Sequence, residues 1–128
     1  MANRTELVLE TMRPDPVWDP AAHTEVVEML SDPALHFSVW GADWCGDCRS
    51  RLPKLGAALA AAEVPPERLS VYPVTKQSDG SKAGPEVDTY GIELIPTVVI
   101  ERAGAEVARV VEDAPESLAA ALADQLRS

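Results

Sequence analysis

A chain of 128 residues lies in the size range of one domain and can bury roughly two-thirds of the surface its unfolded form exposes. Its hydrophobic fraction of 46% is ordinary, its 11 prolines argue against an all-helical bundle, and its net charge of -10 leaves no basic excess for nucleic-acid phosphate. Only Lys54, Lys76 and Lys82 are lysine, against 21 acidic residues, a balance that fits either a halophilic source or an acidic protein of a GC-rich genome.

Near the N-terminus, Arg4, Glu6 and Glu10 interrupt any apolar stretch that could serve as an export signal. The apolar runs at 57–62 and 94–100 are far shorter than the roughly 18 residues of a membrane span. The expectation is a cytoplasmic protein with no membrane partner. In a reducing compartment, two neighbouring cysteines read as redox-active or metal-binding rather than as a disulfide scaffold.

Residues 1–18, with the turn-rich run Arg13-Pro14-Asp15-Pro16, read as an N-terminal extension outside the core, and residues 19–128 as the folded domain. Asp19 before Pro20 is a helix start, and Val26, Val27 and Leu30 supply an apolar face that ends at Asp32-Pro33. Leu35 to Trp40 is a buried strand by composition. From Cys45 a helix carries Leu52, Leu55 and Leu59 on one face and stops at Val64-Pro65-Pro66.

Leu69 to Val74 is a second strand, Thr75 to Gly84 a polar loop, and a short helical turn follows near Pro85. Ile95 to Ile100 leads into a third strand, and Ala103-Gly104 turns it into a fourth from Glu106 to Val111. The last helix has a capping-box pattern at Asp113 and Glu116 and a stripe at Leu118, Leu122 and Leu126. This order predicts an α/β fold, a central mixed sheet with helices on both faces.

The chemistry sits in Trp44-Cys45-Gly46-Asp47-Cys48. Cysteines three apart at a helix start share one face, at a separation that suits a disulfide. Cys45 lies where the helix's free N–H groups and macrodipole favour a thiolate, which makes it the nucleophile and Cys48 the resolving thiol. The sequence carries no nucleotide or flavin fingerprint, so the resulting disulfide must be recharged by an external reductase.

These residues resemble the thioredoxin family. Trp44 matches the tryptophan before the first cysteine, Pro53 the proline of the active-site helix, and Tyr90-Gly91-Ile92 followed by Ile95-Pro96-Thr97 the segment with the family's cis-proline. The resemblance covers about residues 20 to 127 and implies a thioredoxin-like fold. It further implies a protein-disulfide reductase with no bound cofactor, client proteins carrying disulfides, and a thioredoxin reductase or other electron donor as partner. It makes Trp44, Gly46, Ile95 and Pro96 the client-binding residues, the last two beside Cys45 across a cis bond.

The chain also departs from the family. Asp47 stands where proline is commonest, Val39 where a buried acid is usual, Pro73 where a lysine often pairs with that acid, and Glu112 where glycine is usual. Asp47, or Glu112, is therefore the expected carboxylate for the Cys48 proton. By like charge, Asp47 would also oppose the Cys45 thiolate and make the protein more reducing.

The competing readings are a non-enzymatic binding module on the same fold and a metal site at the cysteine pair. His23 and His36 both lie upstream at spacing unlike a zinc finger, so no metal ligand is assigned. Trp18 and Trp40 read as packing residues.

Overall fold

Asp19 opens the first helical segment in the manner its place before Pro20 predicts. Its carboxylate accepts from the Ala21 N–H at 3.0 Å and starts a 3-10 turn, Pro20–His23, that runs into helix α1, Thr24–Leu30. The computed structural model describes residues 12–43, 45–76, 82–84, 86–111 and 118–127. The side chains of Asp47, Pro66, Lys76, Lys82 and Arg127 lie outside that description.

Strand β1, Leu35–Gly41, is followed by helix α2, Gly46–Ala61, and strand β2, Leu69–Pro73. Helix α2 ends where the chain turns left-handed at Glu63, φ 58. The Val64 N–H then reaches back to the Leu59 carbonyl and that of Glu63 to Ala60, closing the last turn before the two prolines. Helix α3, Val87–Tyr90, ends in the same way at Gly91, φ 65. Strands β5, Thr97–Arg102, and β6, Ala105–Val110, are joined by Ala103-Gly104, both left-handed as a two-residue hairpin requires. Helix α4, Leu118–Arg127, closes the chain; Asp113 and Glu116 lie outside the described residues.

Between β2 and α3 the predicted polar loop is instead partly a ladder. Strands β3, Thr75–Lys76, and β4, Lys82–Ala83, pair antiparallel, and the Thr75 hydroxyl donates to the Ala83 carbonyl at 3.2 Å. Two residues per strand are too few for a period-2 signal, so composition pointed to a loop. Pro85 is outside the described residues.

The main sheet has the order β2-β1-β5-β6. Strand β1 is parallel to β2 through the α2 crossover, β1 is antiparallel to β5, and β5 to β6. Burial on both faces of β1 follows from its central place: Phe37, Val39 and Trp40 are all fully buried. Trp40 stacks on Tyr72 of β2 and packs at a tilt against Tyr90 of α3, with ring centroids 4.9 and 5.0 Å away. Strand alternation turns Phe37 and Val39 the other way, under the layer in which α1, α2 and α4 pack together. The mixed sheet with helices on both faces is thus the observed architecture, and Leu52, Leu55, Leu59, Leu118 and Leu122 are core as their spacing predicts.

The expected N-terminal extension is not wholly outside the core: Met12 is buried and the Asp15 N–H donates to the Pro53 carbonyl at 3.0 Å, while Pro16 and Val17 are exposed. Gly56 makes this possible, because on α2 it leaves room for the Met12 backbone to cross the helix. Turn-rich composition marked this stretch as irregular, but irregular backbone can still pack. Residues 1–11 lie outside the described residues.

Candidate active site

Sheet register builds the site. Parallel pairing puts the C-terminal ends of β1 and β2 at one edge of the molecule, and the chain leaves β1 there through Ala42 to reach Cys45. Antiparallel pairing of Trp40 with Thr97 brings the start of β5 to the same edge. Pro96 and Ile95 therefore face Cys45 across the sheet end, 50 residues away in sequence. The Ile95-Pro96 bond is cis.

Cys45 is the N-cap of α2. Its carbonyl accepts the first intrahelical bond, from the Arg49 N–H at 3.0 Å, while its thiol makes no capping bond and instead lies 3.9 Å from the Ile95 carbonyl oxygen. Cys45 is half-buried and so open to attack on a partner, whereas Cys48, on the next helical step inward, is 0% exposed. The Ala42 N–H donates to the Cys48 sulfur at 3.4 Å. Both cysteines are free thiols.

The side chains of Ile95 and Pro96 are buried, so at this point the loop offers main chain rather than side chain to the exterior. The Thr97 hydroxyl donates to the Leu94 carbonyl at 2.6 Å and braces the turn. Gly46 is exposed in the first turn of α2 with open space at its Cα. Trp44 and Glu112 lie outside the described residues, as does the Asp47 side chain, although the Asp47 backbone is the second residue of α2.

Two features were not legible beforehand. The Arg49 guanidinium donates to the Asp43 carbonyl at 2.8 Å, tying the helix start to the loop before it. Its only sequence signal is its place four residues after Cys45. The second is Leu94, exposed beside the buried Ile95. His23 stacks on Trp18 and His36 bonds the Ser70 hydroxyl at 2.9 Å, both structural arrangements. Among the described residues, no group of three or more His, Cys, Asp or Glu side chains could hold a metal ion.

The family model named Thioredoxin matches residues 19–124. The chain belongs to the thioredoxin family. Its close Cys45/Cys48 pair is, at the level of that family, the pair of a thiol-disulfide oxidoreductase. Among solved structures it is similar to Trxlp from Edwardsiella tarda, with 22% identity, 89% of this chain and 96% of that one covered, and a TM-score of 0.48. It is also similar to a mutant thioredoxin from Halobacterium salinarum, with 26% identity, 81% of each chain covered and a TM-score of 0.46. Thioredoxin from Trypanosoma brucei brucei is a third, with 17% identity, 95% of each chain covered and a TM-score of 0.45. A comparison with curated proteins gave no match.

Within this thioredoxin frame the departures have a definite setting. Val39 is wholly buried in β1, and Pro73 is exposed at the end of β2. The buried polar residues among those described are Ser38 and Thr97, neither of them an acid. No helix among the described residues is long and apolar enough to cross a membrane.

Proposed function

We propose that this thioredoxin-family protein reduces protein disulfides, with Cys45 as nucleophile and Cys48 as resolving thiol. The observation that carries the reading is the asymmetry of the pair: a half-buried Cys45 at the helix N-cap beside the Ile95 carbonyl, and a fully buried Cys48 behind it. The Cys45 thiolate attacks one sulfur of a client disulfide. A bond forms between Cys45 and the client, and the other client sulfur leaves as a thiolate that takes a proton. Cys48 then loses its proton and attacks the Cys45 sulfur, releasing the second client thiol and leaving a Cys45–Cys48 disulfide. Two electrons have passed to the client.

The Ile95 main chain would orient the client by strand-like pairing, and Trp44, Gly46 and Pro96 would complete the contact surface. Asp47 would take up the Cys48 proton, since the interior residues described supply no acid. No cofactor is required; the disulfide would be recharged in the cytoplasm by an external electron donor of the thioredoxin-reductase kind.

Insulin reduction driven by a dithiol tests the reading. Wild type should precipitate insulin chains well above the background rate, and Cys45→Ser should not. Cys48→Ser should hold clients as mixed disulfides on Cys45. Activity retained in Cys45→Ser would refute the mechanism.

A further inference from the structure

Strand-like pairing to the Ile95 main chain would hold any client, because main-chain hydrogen bonds are blind to side chains. Discrimination among clients has to come from a side chain that stands outside the fold at this edge. Among the described residues, the large hydrophobics left exposed are Val17, Leu94 and Val107. Val17 lies in the segment leading to α1, and Val107 lies on β6, where the ladder shifts register between Ile100 and Glu101. Leu94 alone of the three is the sequence neighbour of the residue whose main chain meets the reacting sulfur. It immediately precedes Ile95, whose carbonyl oxygen is 3.9 Å from the Cys45 sulfur.

The outward position of Leu94 is built in. Its apolar neighbours Ile92 and Ile95 are buried, at 5% and 2% exposure, while Leu94 is 43% exposed. The hydroxyl of Thr97, itself buried, donates to the Leu94 carbonyl at 2.6 Å and fixes the main chain there. Successive Cα atoms are about 3.8 Å apart, so a client cysteine held at Ile95 places its own neighbours within reach of Leu94.

Resting on the oxidoreductase reading, we propose that Leu94 is the specificity-determining residue: it selects disulfides flanked by a large apolar side chain. Covering an exposed leucine with another removes apolar surface from water on both partners, and even one methylene more or less in an apolar pocket changes selectivity by roughly 10- to 200-fold. The expectation here is at the low end, because Leu94 is half-covered already.

The test uses two disulfide-linked peptides that differ only in whether leucine or serine flanks the cysteine. Wild type should favour the leucine peptide by about tenfold in kcat/KM, chiefly through KM. Leu94→Ser should bring that ratio to within about twofold, and Leu94→Met should restore most of it, since methionine offers comparable apolar surface. A wild-type ratio near one, or an undiminished ratio in Leu94→Ser, would overturn the proposal while leaving the oxidoreductase reading intact. Failure of wild type to reduce either peptide would remove that reading, and the selectivity with it.

Discussion

The main-chain carbonyl of Met12 occupies the space in which a Cβ on Gly56 would stand. By helix propensity alone, replacing a mid-helix glycine with alanine stabilises a protein by about 1 kcal/mol. Here the added methyl group would meet backbone, which cannot swing aside as a side chain can. Gly56→Ala must lift the segment from Met12 to Asp15 away from α2, breaking the Asp15–Pro53 hydrogen bond and uncovering Met12. The expected result is a net loss of about 1–3 kcal/mol in urea unfolding. Stability equal to wild type or higher would mean that this segment is not held as described.

Val39 supplies the second prediction. It is fully buried in β1, paired with Val71 on one side and Val98 on the other. Val39→Asp restores the acid common in the family but gives it none of the partners that a buried charge needs. Burial raises a carboxyl's pKa, so the protonated form is the tolerated one. The penalty is therefore smallest below the unfolded value near 4, and it grows as pH rises toward the raised folded value. Unfolding at pH 7.5 should show a loss of about 3 kcal/mol or more relative to wild type, shrinking measurably at pH 4.5. A pH-independent loss would point to a packing defect instead.

Much of this site could be read in the sequence because its signals are local. Cys45 and Cys48 announce themselves by spacing, Asp19-Pro20 and Ala103-Gly104 by the backbone geometry they impose, and the leucines of α2 and α4 by their period. The facing of Cys45 by Ile95 and Pro96 is different in kind: it depends on the pairing of Trp40 with Thr97, and only family resemblance brought it within reach. Contacts made by main chain stayed hidden. Neither the Ala42 amide on Cys48 nor the Met12 carbonyl on Gly56 leaves a mark in side-chain pattern. The β3–β4 ladder leaves no trace in the sequence because two-residue strands have no period to detect.

The hairpin carries a surface ion pair whose pH dependence can be worked out. Arg109 donates to both carboxylate oxygens of Glu106 at 2.9 Å, and this hydrogen bonding holds the Glu106 pKa below its ordinary value. A carboxylate with a depressed folded pKa contributes stability above its unfolded value, and that contribution is lost as pH falls through the folded one. The pair is well exposed, so Glu106→Gln should cost under about 1 kcal/mol at pH 7. Parallel denaturation curves of the two proteins should converge as the pH falls below 4.5 and through the depressed folded value. Molar salt should also narrow the gap, and a gap that persists in acid would place the effect elsewhere, such as in the Arg109 bond to the Tyr90 carbonyl.

Asp47 offers the last prediction, and it separates two roles for one carboxylate. Asp47 is the second residue of α2 and lies between the cysteines in sequence, and the prediction is that its carboxylate would act by like charge on whichever thiolate forms. Like charge raises the free energy of the reduced, thiolate-bearing form and so favours the disulfide, which makes the protein a stronger reductant. Asp47→Asn should raise the reduction potential, measured by equilibration with glutathione, by a shift on the order of 15–30 mV. If Asp47 also accepts the Cys48 proton, the same variant should slow release of a client from its mixed disulfide on Cys45. A raised potential with an unchanged release rate would leave Asp47 as an electrostatic tuner and move the proton to another base. An unchanged potential would remove the electrostatic account altogether.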